Sequence, residues 1–473
     1  MLNFFLYSIL AAVVIFSCKN SANTRLADNL RPNLIYILAD DLGYNELGCY
    51  GQEEILTPHI DKLASEGMKF TQHYAGTSVC APSRSVLMTG LHTGHTPSRG
   101  NMEVDPYGQF QIPGQTVTLA ELLQEAGYTT AMYGKWGLGV ENTSGDPQKQ
   151  GFDVFFGYYG QVHAHNSFPE YLFTNGQKIY LKNEVVYLPE DHWTRGLGSY
   201  STTKIDYSND IFAQKAIEFI DAHTHNPFFL YLPVTMPHNN GEAPEGQKFE
   251  TPTLEPYEKK DWPYEKKSYA AMISRLDLYV GQILDKLKSE GIDRRTLVIF
   301  SSDNGCAEPQ LFNGSRPLRG MKRDLYEGGI RVPMIAWWPG KIKPESISDH
   351  ISAFWDVLPT FCDLAGIDAP NSIDGISFLP ELIGQPQSPH EYLYWEFHES
   401  GKKQAARKGP WKAVRLNVWE NPKNPIELYN LEKDPGELEN LADQHPEMVE
   451  EMIKIMEEAH IPDPNWPLYK GEF

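Results

Sequence analysis

Asn33-Leu34-Ile35-Tyr36-Ile37-Leu38-Ala39-Asp40-Asp41-Leu42-Gly43 is the stretch that decides the fold. Asn33 to Ala39 reads as a continuous apolar strand, the mark of burial on both faces, and it ends abruptly in two carboxylates. Strands of this kind belong to parallel sheets covered by helices, so the stretch points to an α/β architecture.

The flanking sequence extends that reading. A helix follows the strand: Thr57 is placed to cap it, Pro58 suits its first position, Ile60, Leu63 and Ala64 share a face, and Gly67 can stop it. Thr118 to Glu121 forms a capping box ahead of a helix ending near Gly127, and Thr129 to Tyr133 then reads as a strand. The alternation recurs in a helix at Asp210 to Ala222, a strand at Phe228 to Val234, a long helix from about Ser268 to Glu290 and a strand at Thr296 to Ser301. A strand from Pro333 to Trp338 and a helix near Trp355 to Leu364 complete it. The expected fold is a large, mostly parallel sheet flanked by helices, with functional residues at the carboxyl ends of its strands. Beyond about residue 385 the pattern changes to short strands at Tyr392 to Phe397, Trp411 to Leu416 and Pro425 to Tyr429, then a helix at Pro446 to Ala459 with Val449, Met452, Ile453 and Met456 on one face. Residues 30–385 are thus expected to form the main domain and 386–473 a smaller C-terminal α+β subdomain.

Composition narrows the function. With 41 Lys and Arg against 62 Asp and Glu, the net charge of −21 argues against wrapping nucleic acid, which needs clustered cations to displace counterions. Five cysteines in 473 residues, none in a CxxC pair, are too sparse for a disulfide framework and exclude structural zinc of the usual kind. The apolar run Phe4 to Phe16 is too short for a spanning helix of about 20 residues but suits a signal-peptide core. Ile15-Phe16-Ser17-Cys18 resembles a bacterial lipoprotein box. Residues 1–18 are therefore expected to be a signal peptide ending at a lipidated Cys18, with 19–29 a polar tether and the protein periplasmic in a bacterial envelope, anchored to the membrane through lipid.

Two sets of oxygen ligands stand directly after buried strands: Asp40-Asp41, and Asp303-Asn304 before Gly305. Either alone is explained by turn chemistry, but their repetition at two strand ends suits hard-cation coordination by Ca²⁺ or Mg²⁺. Cys80-Ala81-Pro82-Ser83-Arg84 opens a helical stretch closed by Gly90. A lone cysteine is by default a small buried hydrophobe, but one at a helix N-terminus beside an arginine has a lowered thiol pKa and sits in an anion site. Gln161-Val162-His163-Ala164-His165-Asn166 lies in an aromatic-rich, irregular stretch. Its histidines at i and i+2 would project to one side of an extended segment, where they could contact substrate, bind metal or serve as ordinary loop residues.

The Cys80 to Arg84 stretch resembles the C-x-P-S-R signature of the type I sulfatases, a branch of the alkaline phosphatase superfamily. Further similarity runs through Pro32-Asn33 to Asp41, Gly134-Lys135-Trp136, Ser302-Asp303-Asn304-Gly305, Tyr326-Glu327-Gly328-Gly329 with Arg331-Val332-Pro333, and Glu427-Leu428-Tyr429-Asn430-Leu431. The resemblance implies that Cys80 is oxidised to formylglycine by a maturation enzyme and that its hydrate is the nucleophile. It implies further that Asp40, Asp41, Asp303 and Asn304, with the modified Cys80, hold one divalent cation, Ca²⁺. Arg84 would hold the aldehyde hydrate, and Lys135, His238 and Lys322 would contact sulfate oxygens and supply the general acid. One departure stands out: the family commonly has G-K-W-H-L-G, whereas this chain reads Gly134-Lys135-Trp136-Gly137-Leu138-Gly139. The expected activity is hydrolysis of a sulfate ester of a carbohydrate, with His163 and His165 reading the sugar. A phosphate or phosphonate ester hydrolase on the same scaffold and a non-catalytic binder of sulfated glycans are the alternatives.

Overall fold

The computed structural model describes residues 31–102, 104, 109–189 and 198–473. The apolar run Phe4 to Phe16, Cys18 and the tether lie outside the described residues. Among the described residues, no helix is long and apolar enough to cross a membrane.

The main sheet has 11 strands. From edge to edge it runs Ser346–Ser348, Met68–Tyr74, Arg331–Trp337, Thr296–Ser302, Asn33–Asp40, Phe228–Pro237, Thr129–Lys135, Val154–Tyr158, Tyr171–Thr174 and Gln177–Tyr180, with Ser352–Ala353 also paired to Met68–Tyr74. Asn33–Asp40 lies in the middle and pairs in parallel with Thr296–Ser302 on one side and Phe228–Pro237 on the other. Its alternate residues feed two separate cores. Leu34, Tyr36 and Leu38 face one, which includes Val86 and Leu87 of helix Cys80–Thr89, Leu119 and Leu123 of Leu119–Glu125, and Leu358 and Phe361 of Val357–Ala365. Ile35, Ile37 and Ala39 face the other, with Ile60 of Pro58–Ser65, Phe212 of Ser208–Ala222 and Leu276 of Tyr264–Ser289. The period-two alternation of a strand makes this division, and burial on both faces explains why the sequence shows one unbroken apolar run.

The sheet is mixed at its margins. Arg331–Trp337 runs antiparallel to both neighbours, and Tyr171–Thr174 and Gln177–Tyr180 form an antiparallel edge. Met68–Tyr74 (Met-Lys-Phe-Thr-Gln-His-Tyr) escapes a reading based on apolar runs because polar residues interrupt it.

The expected capping box is present: Thr118 Oγ1 accepts from the Glu121 N–H at 3.2 Å and Glu121 Oε2 accepts from the Thr118 N–H at 2.9 Å. Thr57 holds the N-cap position but makes no cap bond, its hydroxyl oxygen accepting instead from the Gly48 N–H. The free N–H groups of that helix are met from Tyr264–Ser289, where Asp277 Oδ1 accepts from His59 and Ile60 at 2.8 and 2.7 Å.

A second, antiparallel sheet follows, with Leu393–Phe397, Lys403–Lys408, Trp411–Leu416 and Ile426–Asn430 in order. Lys403–Lys408 (Lys-Gln-Ala-Ala-Arg-Lys) has none of the β-branched or aromatic residues that announce a strand and was absent from the sequence expectation. Helix Pro446–Glu458 buries Met452, Ile455 and Met456, with Val449 and Ile453 packed partly against them. Lys412 of this sheet is fully buried and joins it to the main domain, with Nζ 2.8 Å from Glu327 Oε1 and 2.9 Å from Glu437 Oε1.

Candidate active site

Four adjacent strands deliver polar groups at their carboxyl ends. Asp40 closes Asn33–Asp40, Lys135 closes Thr129–Lys135, His238 follows Phe228–Pro237 and Asp303 follows Thr296–Ser302. The Asp303 N–H donates to the Ala39 carbonyl at 3.0 Å, which locks two of these ends together. In an open parallel sheet this rim is where ligand groups collect.

Helix Cys80–Thr89 begins over the rim and is buried along its whole length. Cys80 is its first residue and Arg84 stands one turn later on the same face. The Asn101 side chain accepts from the Ala81 N–H at 3.3 Å, supplying a cap that Val79 cannot. The Cys80 thiol donates to Asp40 Oδ1 at 3.3 Å and lies 3.8 Å from Lys322 Nζ.

Arg84 is the hub. Its Nε and Nη2 donate to Asp303 Oδ2 at 3.3 and 2.8 Å, its Nη1 donates to the Lys135 carbonyl at 2.6 Å, and Nη2 lies 3.4 Å from Asp40 Oδ2. Lys135 Nζ donates to Asp40 Oδ2 at 2.7 Å and Lys322 Nζ to Asp41 Oδ2 at 2.7 Å. Lys322 also donates to His238 Nε2 at 3.1 Å, while His238 Nδ1–H donates to the Asn239 carbonyl at 2.6 Å. These partners fix a neutral imidazole with its lone pair on Nε2. Asp41 has a φ of 67°, a left-handed conformation rare for a residue with a side chain.

Three buried carboxylates therefore face the fixed cations of Arg84, Lys135 and Lys322. Burial pushes the Asp40 carboxyl up, but Lys135, His238, Arg84 and Lys322 outweigh it and hold it well below the usual range. For Asp303, burial and the charge of Asp40 prevail over Arg84 and Lys135, and its carboxyl is raised. Burial and Lys322 drive His238 down to about 3. Cys80 corrects the sequence expectation: burial, then the charges of Asp303 and Asp40, raise its thiol instead of lowering it, because Arg84 spends its charge on those same carboxylates. An unmodified Cys80 is thus held as the weakly nucleophilic thiol.

The carboxylates of the cluster suit a divalent cation. Asp40, Asp41, Cys80 and His238 each offer a ligand atom within 4.8 Å of the others. Asn304 Nδ2 donates to Asp41 Oδ1 at 2.8 Å, while its buried Oδ1 accepts no hydrogen bond among the described residues. An orphaned amide oxygen beside clustered carboxylates is what a divalent cation would satisfy, and its charge would leave the site net positive and ready for an anion.

The two expected sugar readers separate. Residues His163–His165 form a 3-10 turn, not an extended segment, so the two rings point differently. His165 lies at the site, stacked on His238 with its Nδ1 3.0 Å from Glu242 Oε2. His163 is only 4% exposed and packs among Tyr158, Tyr171 and Phe173, with burial driving its imidazole down to about 3. Asn101 and Glu242 belong to no recognisable spacing in the sequence, and Gln161 stands in the quoted histidine stretch without a signal of its own. Elsewhere His92, His95 and Asp374 come together, but the Gly94 N–H donates to His92 Nδ1 at 3.1 Å. That bond puts the proton of a neutral His92 on Nε2, facing Asp374 with no lone pair for a metal.

Comparisons with known proteins agree with this geometry. The family model described as Sulfatase matches residues 32–367, and that described as N-sulphoglucosamine sulphohydrolase, C-terminal, matches 321–461. The chain is 30% identical to an N-acetylgalactosamine-6-O-sulfatase of Bacteroides thetaiotaomicron, over 90% of this chain and 93% of the relative, and 32% identical to arylsulfatase A of Homo sapiens, over 90% and 87%. Its fold superposes on the solved structure of Ps i-CgsB with a TM-score of 0.78 at 28% identity, covering 93% of this chain and 96% of that one; the same protein in complex with k-i-k-neocarrahexaose gives 0.76. The chain belongs to the sulfatase family, and its fold is the alkaline-phosphatase-like α/β sheet with a smaller C-terminal sheet.

Proposed function

We propose that this chain hydrolyses sulfate esters of carbohydrates, with Cys80 matured to formylglycine and Ca²⁺ as the cation. The observation that carries the reading is the cluster of Arg84, Lys135, His238 and Lys322 around Cys80, Asp40, Asp41 and Asp303, at the rim where four neighbouring strand ends meet the start of helix Cys80–Thr89. The carbohydrate assignment draws on the names of the relatives, which include an N-acetylgalactosamine-6-O-sulfatase, and on a neighbour solved with a carrageenan-type hexaose. Ca²⁺ is favoured by the oxygen ligands of Asp40, Asp41, Asp303 and Asn304.

When present, the aldehyde hydrate supplies a hydroxyl nucleophile and the cation neutralises sulfate charge. The chain's own residues do the rest. Arg84, braced by Asp303 and the Lys135 carbonyl, holds residue 80 in place. Lys135 has one carboxylate partner and further N–H donors to spare for the oxygens of sulfate, and Lys322, with donors on Asp41 and His238, would turn the one facing Cys80 Sγ to sulfate. The Lys322 ammonium, hydrogen-bonded to the lone pair of His238 Nε2, holds a proton beside the leaving oxygen, and His238 keeps it oriented. His165, stacked on His238, would meet the sugar. The apolar run before Cys18 supports export and lipid anchoring in a bacterial periplasm, with residues 30–385 as the catalytic unit and 386–473 as the subdomain.

The test is mass spectrometry of the Cys80 peptide from a host able to mature it, with kinetics on matched sulfate and phosphate esters. Formylglycine at position 80 with faster sulfate release supports the reading. A strong preference for phosphate assigns the scaffold to phosphoryl transfer, and glycan binding without turnover assigns it to a lectin.

A further inference from the structure

The space above Gly137 is filled from another strand. The Gly137 N–H donates to the Tyr159 carbonyl and the Trp136 N–H to the Tyr158 carbonyl, each at 2.9 Å, so the turn after Lys135 is stitched to the chain leaving Val154–Tyr158. Gln161 follows immediately and folds over the glycine: a Cβ built on Gly137 would collide with Gln161 Nε2 and would lie 3.9 Å from Arg84 Cδ. Gly137 also has a φ of +88°, which side-chain-bearing residues avoid. The backbone here would strain a histidine, and a histidine would have to displace the Gln161 side chain.

Gln161 is 9% exposed, and neither its Oε1 nor its Nε2 has a hydrogen-bond partner among the described residues. A buried carboxamide with both ends unpaired is uncommon, because each polar atom forfeits its bonds to water. A side chain serving only to cover a glycine would do better as Met or Leu. The glycine that this one covers lies beside Arg84, whose guanidinium joins Asp303, Asp40 and the Lys135 carbonyl at the rim.

We propose that Gln161 is a catalytic residue that occupies the volume over Gly137 and hydrogen-bonds the reacting groups, its amide N–H donating to a sulfate oxygen and its Oε1 accepting from the hydroxyl at position 80. The proposal rests on the sulfatase reading above. A carboxamide offers a donor and an acceptor in fixed geometry but does not titrate in the working pH range, so Gln161 orients groups without moving a proton. The proton traffic then falls to Lys322 and His238.

The experiment has two parts. In the Cys80→Ala background, which can be neither matured nor turned over, calorimetry with inorganic sulfate and with a sulfated monosaccharide, in the presence of Ca²⁺, reads binding alone. Gln161→Ala and Gln161→Met should each weaken binding about tenfold, and Gln161→Glu should abolish it, because its carboxylate would face the anion. In matured enzyme, Gln161→Met should lower kcat/KM by roughly 10²-fold on an aryl sulfate and on a saccharide alike, since Gln161 acts on groups common to both. The Met variant preserves bulk, so a loss shared by Ala and Met identifies the amide and not the packing. Wild-type-like affinity and kinetics in Gln161→Met, in a protein whose parent releases sulfate, overturn the proposal. A parent that releases no sulfate overturns the sulfatase reading, and this one with it.

Discussion

The ring of His165 lies nearly parallel to that of His238, with centroids 4.9 Å apart and planes at 17°. Glu242 holds the far side of His165, so the ring is a fixed wall beside the lysine-histidine pair. His165→Ala is expected to lower kcat/KM on a sulfated oligosaccharide about tenfold or more while sparing a small aryl sulfate, because a sugar contact acts through binding and positioning. Equal losses on both substrates would place His165 in the catalytic machinery instead. His163→Ala, by contrast, should cost about 2 kcal/mol in urea unfolding through lost ring packing and leave the ratio of the two substrates unchanged.

Chelation should abolish activity, and Ca²⁺ should restore it better than Zn²⁺, because the proposed ligands are oxygens. The same titration should raise Tm, since an ion bound only by the folded state at a hundred times its Kd contributes about 2.7 kcal/mol. Activity that survives exhaustive chelation would remove the cation from the mechanism.

Arg84→Lys tests the hub. A single ammonium cannot reach Asp303 Oδ2, the Lys135 carbonyl and Asp40 together, so a buried carboxylate loses its partner. The expected cost is about 3 kcal/mol in denaturant unfolding, with kcat/KM falling at least about 10²-fold. Asp303→Ala should destabilise too, by leaving Arg84 short of its closest carboxylate.

Lys412 predicts a pH profile. Burial opposes ionisation of Glu327, but Lys412, Arg331 and Arg407 hold its carboxyl low, whereas burial prevails for Glu437 and raises it to about 7. Glu327, depressed in the folded state, contributes stability above the ordinary carboxylate range that is lost as pH falls below it; Glu437, raised, contributes stability at low pH that is lost as pH climbs through about 7. The contribution of these two carboxyls to the unfolding free energy should therefore decline on both sides of about pH 5. Glu437→Gln should remove its own share of the alkaline decline, on the order of 2 kcal/mol by pH 8, and Lys412→Met should destabilise by about 3–5 kcal/mol. An alkaline limb unchanged in Glu437→Gln, followed by urea unfolding across pH, would count against this assignment.

The central strand, the rim at its carboxyl end and the polar groups gathered there are legible in the order of the amino acids. Asn33 to Ala39 is legible because a strand buried on both faces must be apolar throughout, and Asp40-Asp41, Cys80 to Arg84 and Asp303-Asn304 are legible because their spacing is local. What depends on neighbours distant in the chain emerges with the fold. The Cys80 thiol is raised because Asp40 and Asp303 surround it, although a helix start beside Arg84 argued for the opposite. His163 and His165 part company because a 3-10 turn replaces an extended segment, sending one ring into an aromatic core and the other onto His238. Gln161 comes over Gly137 through pairing between strand ends, and Lys403–Lys408 becomes a strand through its partners on either side. In each case the deciding energy comes from a partner far away in sequence, which local pattern does not encode.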